Sequence, residues 1–168
     1  MSFQLETERL YIREFNDNDA EFIIELLNSP GWLEFIGDRK IKTTEDALKY
    51  IKFLQSSYEQ HGFGMWLIAL KEGNVKVGMS GLLRRVTLDH PDIGFAFLPQ
   101  YIGKGYGYET AMTVKEYAMN HLKMKELLAI TVPANDKSIQ LLKKIGLQYE
   151  KNSVMDGEEL MIFKTELR

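Results

Sequence analysis

Apolar and polar positions along the chain follow two periods, and the changes between them mark the elements. Leu10 and Ile12 alternate with Arg9, Tyr11 and Arg13, so residues 4–15 are predicted as a strand region. Asn18 with Glu21 three positions on has capping-box spacing, and Phe22, Ile23, Leu26 and Leu27 then share one helical face. Ser29-Pro30-Gly31 ends that helix, and Trp32, Phe35 and Ile36 fall in a predicted loop. Thr43 or Thr44 caps a second helix that puts Ala47, Leu48, Ile51, Leu54 and Tyr58 on one side and closes at His61-Gly62.

Residues 65–70 are continuously apolar and short enough for a buried strand. Glu72-Gly73-Asn74 is a turn, and 75–83 runs back as the second arm of an antiparallel hairpin. Residues 84–90 are polar and read as a loop. Ile93, Phe95 and Phe97 then alternate up to Pro99, and Gly103, Gly105 and Gly107 follow. After them Tyr108, Ala111, Val114, Ala118 and Leu122 recur at helical spacing. Residues 126–132 form another apolar strand, stopped by Pro133. Residues 136–145 form a helix with Ile139 and Leu142 inward and Gly146 at its C-cap, and 147–150 and 160–164 are closing strands joined through Asp156-Gly157. The order β-α-α-β-β-β-α-β-α-β-β predicts an α/β (α+β) fold. Its sheet is mixed and mostly antiparallel, with helices on both faces and a right-handed parallel crossover from 92 to 132.

The stretch 92–108 carries the chemistry. A strand, a glycine-rich turn and a helix let backbone N–H groups gather round an anion at the positive end of the helix dipole. A P-loop is excluded because Gly105, not Ser or Thr, follows Lys104. A dinucleotide turn is disfavoured because the glycines have the wrong spacing and follow a hairpin; Glu126 lies near the expected acidic position but begins a strand.

Composition narrows the rest. A chain of 168 residues, 45% hydrophobic and 27% charged, suits one soluble domain spanning 1–168. A formal charge of -3 argues against nucleic acid or an anionic membrane as the main partner. There is no cysteine, hence neither a disulfide framework nor a thiolate nucleophile. No apolar run is long enough to span a bilayer, and Met1-Ser2-Phe3-Gln4 is not a secretory start, so a cytoplasmic protein is expected. His61, His90 and His121 show no metal-ligand spacing, and no metal is expected.

Four stretches, in order, resemble the GNAT N-acetyltransferases, close to the branch of ribosomal-protein N-terminal acetyltransferases. They are LETERLYIREFNDNDA, KVGMSGL, FLPQYIGKGYGYETA and PANDKSIQLLKKIGL. The resemblance implies the acyl-CoA N-acyltransferase fold, acetyl-CoA as co-substrate and an amine as acceptor. The family's turn motif fits Gln100, Gly103 and Gly105 letter for letter. A second register, preferred here, puts Ile102 in the first slot with Gly105 and Gly107, leaving the diphosphate to backbone amides from Gly103 through Lys104, Gly105, Tyr106 and Gly107 to Tyr108. Lys104 adds charge. The pantetheine arm is expected along the strand before the turn, on the backbone of Phe97 and Leu98, with an N–H there facing the thioester oxygen.

The remaining roles are read partly from the resemblance and partly from residue type and position. Asn135 is a cofactor contact or the N-cap of its helix, or both. Ser138 is, by the resemblance, the group that protonates the leaving thiolate, or it is a plain helix-start serine; the tyrosine that many relatives use falls at Leu142. Asp92 is the candidate base, against a plain exposed strand-end carboxylate; Glu34 and His90 are alternatives, and the glutamate of some relatives falls at Ile130. Lys137, Lys143 and Lys144 face a 3′-phosphate or simply solvent. Trp32 and Phe35 wall an amine pocket or pack their loop. The acceptor is a protein N-terminus or a small amine, the protein a monomer or homodimer. The reading from another class is a non-catalytic acyl-CoA-binding module.

Overall fold

A computed structural model describes residues 3–166; Met1 and Ser2 of the opening tetrapeptide lie outside the described residues. Eight strands form one sheet in the order β1-β2-β3-β4-β5-β6-β8-β7. These are β1 (Gln4–Glu6), β2 (Leu10–Arg13), β3 (Met65–Leu70), β4 (Lys76–Leu83), β5 (Asp92–Phe97), β6 (Glu126–Thr131), β7 (Gln148–Met155) and β8 (Glu158–Glu166). Every neighbouring pair is antiparallel except β5 and β6, which are parallel. The helices are α1 (Ala20–Leu27), α2 (Pro30–Phe35), α3 (Thr44–His61), α4 (Tyr106–Asn120) and α5 (Asp136–Lys144).

Two cores flank the sheet. Phe15, Ile23, Leu27, Ile51, Leu67 and Met79 pack α1 and α3 on one face. Trp66, Ile68, Ile93, Ala111, Val114 and Leu127 pack α4 on the other. Covered on both faces, β3 needs an apolar side chain at every position, which is why it reads as an unbroken run. Thr43 is the N-cap of α3, in a reciprocal box with Asp46, and Gly62 closes the helix at φ 77°.

The structure departs from expectation at three places near the N-terminus. Residues 4–15 are a hairpin, not one strand: Thr7 N–H donates to the Leu10 carbonyl at 2.9 Å, and the Thr7 hydroxyl accepts from Leu10 N–H at 3.0 Å. The capping box uses Asn16 and Asp19, two residues before the expected pair, and a 3-10 turn (Asp17–Asp19) leads into α1. Arg13 and Lys76 hold the buried Asp19 carboxylate at 2.9 and 2.7 Å, which fixes that register. Finally, Pro30 starts α2 as well as following α1, a first-turn position that suits its fixed φ.

Gly78 and Gly81 of β4 are required by close strand packing. A Cβ on Gly81 would lie 2.0 Å from the Gly64 carbonyl oxygen, and one on Gly78 would lie 2.4 Å from that of Ala96. These approaches hold β3, β4 and β5 tightly together on one side of the molecule. On the other side β5 and β6 share a single bridge, Asp92 with Leu128, and Leu128 N–H donates to the Pro91 carbonyl at 3.0 Å. Past it, β6 stays paired with β8 as far as Thr131 and β5 with β4 as far as Phe97, so a gap opens in the sheet's middle.

Candidate active site

The glycine-rich turn joins β5 to α4. A 3-10 turn (Pro99–Tyr101) follows Leu98, and Gly103 and Gly105 take left-handed backbone at φ 83° and 84°. That conformation is open to glycine at little cost. Gly105 is the N-cap of α4 and lacks a side-chain cap. Among the described residues, no intramolecular acceptor meets the N–H groups of residues 103–108. Six amides at the positive end of a 15-residue helix make a cradle for an anion. A Cβ on Gly107 would lie 3.1 Å from Leu141 Cδ2, so this glycine lets α4 begin close against α5.

Arg9, from the β1–β2 turn, clamps the cradle from outside. Its Nε donates to Glu109 Oε1 at 2.8 Å, its N–H to Glu109 Oε2 at 3.0 Å, and its Nη1 to the Lys104 carbonyl at 3.1 Å. Its guanidinium lies 4.4 Å from the Tyr106 ring centroid. The Thr7 hydroxyl also donates to Glu109. Partial burial pushes the Glu109 carboxyl up, but the hydrogen bonds from Thr7 and Arg9 outweigh it and hold the group below its ordinary value. Sequence reading missed Arg9, which lies a hundred residues from Glu109. The clamp brings a fixed positive charge to a turn whose preferred register has Ile102 in the basic slot. Ile102 itself is exposed, as is Lys104.

The open edge of β5 follows from strand alternation. Leu98 N–H donates to the Val77 carbonyl at 2.9 Å, so residues 92, 94, 96 and 98 turn their backbone groups toward β4. Those of Ile93, Phe95 and Phe97 face β6 instead; Ile93 belongs to the bridge with Leu128, and among the described residues Phe95 and Phe97 have no strand partner on that edge. Phe97 therefore offers its N–H to the gap. Leu98 does not, which corrects its expected role: its carbonyl accepts from Tyr101 N–H at 3.0 Å, and its side chain lies in the α1–α3 core.

Asp92 stands where the strands part, and it is not an exposed strand end. It is 1% exposed, on the α1–α3 side, and loop residue Arg85 places Nε 3.1 and 3.2 Å from its two oxygens. Burial raises its pKa to about 6, and Arg85 opposes that rise without cancelling it. A carboxylate in that range is suited to taking a proton near neutral pH.

The alternative bases are placed elsewhere. His90 is paired with Glu126, which also accepts from Lys164 at 2.7 Å; Glu34 is exposed on α2; Ile130 packs beside Leu128 and Ile162. Asn135 caps α5, its Oδ1 accepting from Ser138 N–H at 3.2 Å. Ser138 is half-buried on the first turn of α5, and among the described residues its hydroxyl has no hydrogen-bond partner. Leu142 is a core residue. Lys144 Nζ sits 4.5 Å from the Tyr108 ring centroid, whereas Lys137 and Lys143 are exposed. Trp32 is buried in the core with α1 and α3, and its indole N–H has no partner among the described residues.

A gap beside β5, an amide cradle at its far end and a buried carboxylate at its near end form the candidate site. Residues 9–148 match the acetyltransferase (GNAT) domain family, and the chain belongs to that family. It is 26% identical over 148 residues to YoaA of Bacillus subtilis, an uncharacterized N-acetyltransferase, spanning 87% of this chain and 83% of that one. It is 25% identical over 154 residues to the FsC-acetyl coenzyme A-N(2)-transacetylase of Aspergillus fumigatus, spanning 86% of this chain and 65% of that one. Among solved structures, the fold is shared with the ribosomal L7/L12 α-N-protein acetyltransferase RimL in complex with coenzyme A. There the TM-score is 0.84 at 12% identity, and 98% of each chain is covered. It is shared equally with an acetyltransferase of Agrobacterium tumefaciens, at TM-score 0.83 and 21% identity, over 97% of this chain and 94% of that one.

Proposed function

We propose that residues 1–168 act as one N-acetyltransferase domain that moves an acetyl group from acetyl-CoA to a primary amine by direct attack in a ternary complex. The observation that carries this reading is the row of unpaired amides at 103–108, which ends at the open edge of β5. Those amides would hold the diphosphate, with Arg9 and Lys104 adding positive charge beside it. The Phe95 and Phe97 edges would pair the pantetheine arm as a further strand, with Phe97 N–H available to a carbonyl oxygen. Asn135 holds the start of α5 by its capping bond, and its side-chain NH2, without a partner among the described residues, would contact the arm.

Bound there, the thioester supplies an acyl carbon to which the amine nitrogen bonds as the carbon–sulfur bond breaks and sulfur leaves with the electron pair. Asp92 accepts the proton that the nitrogen loses, directly or through one water. Ser138 gives its hydroxyl proton to the departing sulfur and recovers one from solvent. No covalent enzyme intermediate is needed, because the acyl group arrives activated. The test is calorimetric titration with CoA, then thiol release from acetyl-CoA across a panel of amines. Binding with amine-dependent release supports the reading; binding without release across the panel supports the non-catalytic module, and no binding overturns both.

A further inference from the structure

We propose that Arg85 is a carboxylate receptor next to the attacking amine, so that the acceptor is a free amino acid and not a protein N-terminus. The inference rests on the acetyltransferase reading and assigns the substrate class of that same site.

Arg85 uses its guanidinium unevenly. Nε alone is engaged, shared between the two Asp92 oxygens. Among the described residues the Nη1 and Nη2 groups have no partner, and the side chain is 38% exposed beside a carboxylate that is almost wholly buried. The adjacent Arg84 is used differently, donating Nη1 to the carbonyls of Arg85 at 3.0 Å and Leu88 at 2.6 Å, so it braces the loop. Nothing in the loop's construction calls for the outer edge of Arg85. That edge is a fork of parallel N–H groups, matched to the two oxygens of a carboxylate.

Charge around the fork points the same way. The guanidinium groups of Arg39 and Arg85 both act on the Tyr50 phenol, and Arg39 is exposed with no ion-pair partner among the described residues. Both guanidinium groups therefore add positive charge around that phenol. A ligand whose amine approaches Asp92 and whose carboxylate takes the Arg85 fork must carry the two groups a few ångströms apart, because Nε and the Nη atoms belong to one rigid plane. An α-amino acid meets that spacing when one water carries the proton from its amine to Asp92, as the proposed mechanism allows. A protein N-terminus has an amide where the carboxylate is needed, which leaves the fork unfilled.

A cleft lies nearby, although neither Arg85 nor Asp92 lines it. Leu83 pairs with Asp92 across β4 and β5, and Leu83, Met65, Phe53 and Arg84 line a cleft of about 160 Å³ under α3.

The experiment compares matched acceptors: the twenty standard amino acids, their amides, and tetrapeptides with the same first residue, assayed for thiol release from acetyl-CoA. Binding of the N-acetyl amino acids and their amides to the CoA-loaded protein is measured alongside by calorimetry. The expected result is kcat/KM at least tenfold higher for one or more acids than for their amides, with the products following the same order. In Arg85→Gln, kcat falls alike for acid and amide because Asp92 loses its partner, but KM rises at least tenfold for the acid only. Arg85→Lys recovers part of that rise. Acids and amides within twofold of each other in the wild-type protein, or tetrapeptides turned over best, overturn the assignment while leaving the acetyltransferase reading intact. Failure to bind CoA overturns the acetyltransferase reading itself. No acid-over-amide preference in either turnover or binding counts against the receptor, whatever the variants do.

Discussion

Replacing Asp92 with Asn separates two consequences of its burial. The carboxyl titrates at 3.8 when exposed and at about 6 in the folded chain. The folded state thus binds this proton more tightly than the unfolded state, and the ionised group works against folding. At roughly 1.4 kcal/mol per pKa unit, the shift corresponds to about 3 kcal/mol. The penalty is absent below pH 4, develops between pH 4 and pH 6, and is complete above that window. Asp92→Asn removes it. The variant should match wild type in stability near pH 4 and exceed it by about 3 kcal/mol at pH 8, a Tm gain on the order of 6–12 °C for a chain of this size. Catalysis should move the other way, because an amide cannot accept the amine's proton. A loss of roughly 10²–10⁴ in kcat/KM is expected for a general base. In the wild-type protein, with an amine that stays neutral across the range, kcat/KM should rise with pH through about 6 and then level, since only the deprotonated carboxylate is competent. The assays are denaturant unfolding at pH 4 and pH 8 and thiol release from pH 5 to pH 8. A variant that keeps wild-type activity would refute the base. Equal stabilities at pH 8 would refute the electrostatic account of its burial.

Three further substitutions test other parts of the structure. Gly105→Val places a branched side chain at φ 84° with its Cβ 3.2 Å from Arg9 Nη2, and should weaken CoA binding at least tenfold by calorimetry; unchanged affinity would move the diphosphate off the turn. Ser138→Ala should lower kcat with little change in CoA affinity, and a wild-type kcat would mean that water protonates the sulfur. Gly81→Ala would put a methyl 2.0 Å from the Gly64 carbonyl oxygen and 2.8 Å from Met65 Cα, so a loss of about 3 kcal/mol in unfolding free energy is expected; a stability within 0.5 kcal/mol would show that β3 and β4 can separate freely.

What could be read from the sequence was what local spacing decides. The alternation of Ile93 and Phe95, the stop at Pro99, the glycine run and the helical repeat of Ala111, Val114 and Ala118 sit within thirty residues, and each became the element expected. Thr43 and Gly62 end α3 because caps act on adjacent backbone. Contacts across long sequence separations were not legible. Arg9 reaches Glu109 and Lys104 only because β1 and β2 fold into a hairpin beside α4, and a residue in a polar stretch gives no sign of such a partner. The hairpin itself was missed because Thr7 and Glu109 close it together. Asp92 looked like an exposed strand end; it is buried because loop residues 84–91 return over it and bring Arg85 into contact. Phe97 and Leu98 were expected to act together, but neighbouring strand residues turn their hydrogen-bonding groups to opposite edges.

The most direct measurement is a crystal structure of the protein grown with CoA. The account predicts diphosphate oxygens within about 3 Å of N–H groups between Gly103 and Tyr108, with the pantetheine arm in the gap against Phe95 and Phe97. Density for the cofactor elsewhere, with the amide cradle empty and β5 uncontacted, would contradict it.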